Sequence, residues 1–91
     1  MNPRFTIGQV VCTPGALQAL EASGESPHAF LRRHMTGDWG EVCPEDAALN
    51  DAALVDGSRI LSAYHTGNRT KLWVITEADR SSTAFLLPSE Y

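Results

Sequence analysis

Apolar side chains change their spacing once along this chain, near Gly57. Before that point they recur at helical intervals, and from Arg59 onward at every second position. Thr13-Pro14 reads as a helix start, with Thr13 as N-cap and Pro14 at the first helical position. That segment carries Leu17 and Leu20 and stops at Ser23-Gly24. Ser26-Pro27 repeats the signal and opens a second helix to about Met35, with Phe30, Leu31 and His34 at helical spacing. Gly37-Asp38-Trp39-Gly40 breaks it. Pro44-Glu45-Asp46 starts a third helix with its acids in the electropositive first turn. Its apolar stripe is Leu49, Ala53 and Leu54, and Asp56-Gly57 ends it.

The second rhythm predicts strands over Arg59–His65, Lys71–Thr76 and Ser82–Leu87. The connections through Thr66–Arg69 and Glu77–Ser81 are short enough for antiparallel pairs, and Pro88 cannot continue a ladder. Alternation sets Arg59, Leu61, Ala63 and His65 on one face, with Ile60, Ser62 and Tyr64 on the other. Trp73, Val74 and Ile75, with Phe85, Leu86 and Leu87, form apolar runs that read as core. Phe5–Cys12 (FTIGQVVC) alternates loosely and offers an additional N-terminal strand, which Gly8 weakens. The fold class expected is α+β: about three short helices packed on a C-terminal three-stranded antiparallel meander, with that N-terminal strand as an optional addition. Residues 1–91 make a single domain, since so short a chain has no room for a second core.

Composition narrows the function classes. Apolar residues make up 43% of the chain, enough for a core without metal or disulfide staples. Eleven acidic and seven basic residues give a net charge of −4 and are spread without runs, which disfavours a nucleic-acid backbone as partner. Two cysteines, Cys12 and Cys43, make no disulfide scaffold and read as small buried hydrophobes. No basic-then-apolar leader and no membrane-length apolar run occurs, so the expected location is the cytoplasm and no membrane partner is expected. No cofactor is implied, because no Gly-rich nucleotide loop exists, and no metal, because no second ligand stands at a recognised spacing from His34.

Three groups of residues carry candidate chemistry. His34, Asp38, Trp39 and Glu41 form the densest cluster, and a His at a helix C-terminus has its charged form favoured by the dipole. The structural alternative, which is preferred, has His34 capping its helix, Trp39 lidding the core and Asp38 bonding loop amides. Glu77, Asp79, Arg80, Ser81, Ser82 and Thr83 lie in and after the last loop. There Arg80 could clamp a phosphate or carboxylate, with Ser81 or Thr83 adding hydroxyl donors. Turn-shaping bonds from Asp79 and Ser81, with Arg80 paired to Glu77 or Asp79, are the preferred reading of the same residues. Lastly, Arg59 could join His34, Arg80 and Thr83 as a general-acid and phosphate-clamp set if the fold brought them to one cleft.

HMTGDWGEV (34–42), RILSAY (59–64) and KLWVITEADRSSTAFLLPSEY (71–91) resemble a family of small bacterial proteins carried on plasmids and integrated elements. The resemblance runs from TPGAL (13–17) to the terminal PSEY. It implies a plasmid-related accessory protein with no established reaction. In architecture alone the chain is similar to the barnase/RelE-like ribonucleases. The leading expectation is therefore a non-enzymatic binding module with a protein partner, serving anti-defence or element maintenance. A metal-independent, toxin-like ribonuclease using His34, Arg59, Arg80 and Thr83 is the runner-up. A homo-oligomer meeting through the sheet face or Trp39 is the third reading.

Overall fold

The computed structural model describes residues 2–91. Its order is β1 (Gln9–Cys12), α1 (Pro14–Ser23), α2 (Pro27–Met35), α3 (Pro44–Asp56), β2 (Ile60–His65), β3 (Lys71–Thr76) and β4 (Ser82–Leu86), then one helical turn at Pro88–Glu90. The class is α+β with three helices, as the change of spacing predicts. Each helix begins on the proline the sequence marks. Thr13 Oγ1 accepts from the Ala16 N–H (3.2 Å) and Ser26 Oγ from the His28 N–H (3.2 Å), so caps fix both starts locally.

The sheet departs from a three-stranded antiparallel meander. It has four strands in the order β1-β4-β3-β2 and is mixed. β2, β3 and β4 do form the expected meander, but β1 lies parallel to β4, with Gln9 opposite Ser82 and Cys12 opposite Phe85. Only 9–12 pair; Phe5 leaves the strand and packs beside Trp39. Gly8 marks the change, at φ +61, where a Cβ would fall 2.3 Å from the Ser81 carbonyl oxygen. Arg59 and Leu87 lie just outside the strands they were expected to belong to.

All three helices lie on one face of the sheet and bury part of their apolar stripes there. Ala16, Leu20, Phe30 and Leu31 meet Tyr64, Leu72, Val74 and Phe85, while Ala53 and Trp39 meet Ile60. On the opposite face the C-terminal segment packs against β3. Tyr91 stands edge-on to Trp73 (5.6 Å), and the Glu90 carboxylate accepts from the Thr13 hydroxyl and from the Gly15 and Leu87 N–H groups. Cys43 departs from the buried position expected of it. It is exposed at the N-cap of α3, and Cys12 is half-buried.

Candidate functional site

His34 sits in the last turn of α2 with no exposed surface. It does not cap its helix; both ring nitrogens reach across to the sheet. Nδ1 lies 2.5 Å from Ser62 Oγ on β2, and Nε2 lies 2.8 Å from Thr76 Oγ1 on β3. Thr76 Oγ1 is 2.7 Å from Thr83 Oγ1 on β4, and Thr83 donates to the Ile7 carbonyl at 2.8 Å. These distances fix the order of protons. The Thr83 hydrogen is committed to Ile7, so Thr76 must donate to Thr83, and His34 must donate from Nε2 to Thr76. Nδ1 is then the acceptor for the Ser62 hydroxyl. The result is a one-directional chain, from Ser62 through His34, Thr76 and Thr83 to Ile7, in which each bond polarises the next.

That chain requires a neutral imidazole. Burial, and then the Arg80 charge, push His34 from its ordinary 6.5 down to about 4. Phe5 (5.1 Å) and Trp39 (6.1 Å) present rings to it and offer no counter-ion. A hydroxyl bonded to an imidazole nitrogen is the arrangement that activates a serine nucleophile. Here Ser62, Thr76 and Thr83 are as fully buried as His34, so the pair is closed to any solute. The chain instead ties α2 to three strands and satisfies every polar atom it contains. Ser62 and Thr76 were not among the candidate residues. Their signal was a polar side chain at an inward position, on the face shared with Ile60, Tyr64, Leu72 and Val74.

Arg80 is engaged as a tie between loops. Its guanidinium donates to the carbonyls of Ser58 (2.6 Å), Ala53 (3.0 Å), Glu77 (3.2 Å) and Ala78 (3.4 Å), and lies 5.7 Å above the Phe5 ring. It thereby satisfies carbonyls at the end of α3 and pairs with neither Glu77 nor Asp79. Arg59 donates to the Tyr91 hydroxyl (3.1 Å) and stands 3.7 Å from Glu77, with its guanidinium over the Tyr91 ring. His34 and Thr83 therefore share one buried chain, Arg80 approaches it from behind Phe5, and Arg59 is held by the C-terminal tyrosine. No open cleft unites the four.

The remaining candidates have local partners. Asp38 takes Arg33 in a two-pronged ion pair (2.7 and 3.4 Å) and accepts from the Gly40 N–H, and these bonds hold its carboxyl below the usual range. Trp39 is buried and donates to Asp51 (3.1 Å), while the Tyr64 hydroxyl donates to the Asp38 carbonyl (2.6 Å). Glu41 pairs with His65 on the surface. Asp79 accepts from the Ser81 N–H (2.9 Å), the turn-shaping bond anticipated for it. Among the described residues no group of three or more His, Cys, Asp or Glu side chains is placed to hold a metal, and no helix is long and apolar enough to cross a membrane.

A concavity beside α2 is open to solvent. A groove of about 580 Å3 runs between the N-terminal segment and α2, floored by Ile7 and Val10 and walled by Leu31 and Met35 of α2. None of the candidate residues lines it. Fold and site together describe a small α+β domain with a sealed polar chain and an accessible apolar groove. No protein-family model, curated protein or solved structure matches the chain.

Proposed function

We propose that this chain is a non-enzymatic binding module, a macromolecule-binding accessory protein of a mobile genetic element, with a protein as its partner. Anti-defence or element maintenance is the role in which it serves. The assignment to a mobile element rests on the HMTGDWGEV, RILSAY and KLWVITEADRSSTAFLLPSEY segments. The binding reading rests on one contrast. His34 and Thr83 are held inside the fold and Arg80 is engaged by backbone carbonyls, whereas the open groove beside α2 is mostly apolar and carries no carboxylate. The net charge of −4 further favours a protein over a nucleic-acid backbone.

The test pairs binding with turnover. Immobilised protein should retain a partner in stoichiometric amount from a bacterial lysate, and pure protein should leave total RNA intact. Cells expressing wild type, Arg59→Ala or Arg80→Ala should grow equally. RNA cleaved by pure wild type and spared by Arg59→Ala would overturn the reading in favour of the toxin-like ribonuclease. Arg59 serves here because its side chain is half exposed and its loss leaves the core intact.

A further inference from the structure

The two outer strands of the sheet differ in what covers their free edges. On β2 the Asn50 side chain bonds both the carbonyl (2.7 Å) and the N–H (3.1 Å) of Leu61. The Trp39 carbonyl and the Glu41 N–H do the same for Ala63 (3.1 and 2.7 Å). That edge is closed. On β1 the N–H of Gln9 donates to Ser81 (3.0 Å) and that of Thr13 to Phe85 (2.9 Å). Alternation then turns the N–H and C=O of Val10 and Cys12 away from β4, where no other strand pairs with them. An unpaired edge of this kind is a template for another strand.

The open groove lies beside this edge. Its far wall is a single stripe of α2 with the spacing i, i+3, i+4, i+7: His28, Leu31, Arg32 and Met35. Val10 faces the same side of the sheet as buried Thr83 and helps to floor the groove. Among the described residues the Arg32 side chain makes no hydrogen bond or ion pair, and no carboxylate lines the groove. The Arg32 charge, set in an otherwise largely apolar lining of a chain of net charge −4, selects an acidic occupant. A second copy of the chain fits poorly. Two β1 strands paired about a two-fold axis would set one Arg32 stripe beside the other with no acid between them.

We propose that an extended, acidic segment of a partner protein adds as a fifth strand to the edge of β1, presenting apolar and acidic side chains in turn to α2, where Arg32 pairs with the acids. The proposal rests on the binding-module reading and names the partner's chemistry. Main-chain bonds to Val10 and Cys12 supply register, and the groove supplies selectivity.

The probe is a fluorescein-labelled heptapeptide in which threonine alternates with valine, glutamate, valine, glutamate; a control carries lysine for glutamate. Anisotropy should show saturable binding of the glutamate peptide, about tenfold or more tighter than the lysine peptide. Arg32→Glu, a change at an exposed position, should weaken the glutamate peptide by about tenfold and reverse the preference. Amide exchange at Val10 and Cys12 should slow on binding, while Val11, already turned toward β4, should not change. Equal affinity for both peptides, or no saturable binding, would overturn the proposal. So would exchange at Val10 and Cys12 that slows with protein concentration alone, since a second copy would then be the occupant. Retention of the lysate partner by Arg32→Glu would remove the groove as its seat and leave the binding module standing, so the two readings fail separately.

Discussion

The sealed imidazole gives this protein a pH dependence that can be worked through from the structure. His34 is neutral in the folded chain and is pushed down to about 4, against 6.5 when unfolded. Its folded value is the lower of the two, so the unfolded chain takes up the proton first as pH falls. Stability is therefore complete above about 6.5 and is lost on descending toward 4, below which both states are protonated and the loss levels off. The linkage relation gives a loss of about 2 kcal/mol between pH 7.5 and 5, and about 3 kcal/mol by pH 4. Protonation would also force Ser62 to accept from Nδ1, leaving its own hydrogen without a partner in the core. The assay is urea unfolding followed by Trp39 and Trp73 fluorescence at each pH. With an m-value of ~1–2 kcal/mol/M, the wild-type midpoint should fall by about 1–2 M between pH 7.5 and 5. His34→Gln keeps an amide donor and acceptor but cannot titrate, so its midpoint should fall less by that amount. The comparison subtracts the carboxylates whose folded values are also lowered, such as Asp38 and Glu90. Parallel curves for the two proteins over this range would refute a neutral, buried His34.

Four further outcomes follow from the packing. Thr76→Val preserves shape but leaves the His34 Nε2–H without an acceptor and Thr83 without a donor, and should cost about 1–3 kcal/mol in urea unfolding. Combined with Thr83→Val it should cost less than the two single losses added, because both act on one chain; strict additivity would show that the bonds are independent. Arg80→Lys replaces a fork spanning the Ser58 and Ala53 carbonyls with a single ammonium, and should lower the thermal midpoint by several degrees; an unchanged midpoint would show that the fork is dispensable. Gly40→Ala should be the most damaging surface-loop change, since Gly40 has φ +73 and the added Cβ would lie 2.0 Å from the Ala63 carbonyl oxygen; amide exchange at Ala63 close to wild type would contradict that.

The legible part of this protein is its local part. Thr13-Pro14, Ser26-Pro27 and Pro44 each mark a helix start to the residue, because a capping hydroxyl and a proline ring act within one turn. Lys71–Thr76 is a strand over the range its alternation predicts, and the inward face of Ile60, Ser62 and Tyr64 is buried as the two-residue period requires. Apolar identity was a weaker guide to depth. Leu17 and Leu49 lie on helical stripes yet are exposed, because α1 turns Ala16 and Leu20, and α3 turns Asn50 and Ala53, toward the sheet. Cys43 is exposed at the N-cap of α3, where its side chain makes no cap bond.

What the sequence determined on its own is the three helices with their starts, the three strands of the meander to within a residue at their ends, and which side chains of a strand share a face, since all of these follow from forces between residues a few positions apart. Tertiary structure alone decided that β1 joins β4 in parallel, that His34 points into the sheet and that Arg80 binds carbonyls, because their partners lie far away along the chain. Thr83 and Ile7 are 76 positions apart and His34 and Thr76 are 42, distances over which side-chain spacing carries no signal. The same holds for the groove: the unpaired edge that stands against α2 exists only once the sheet has closed.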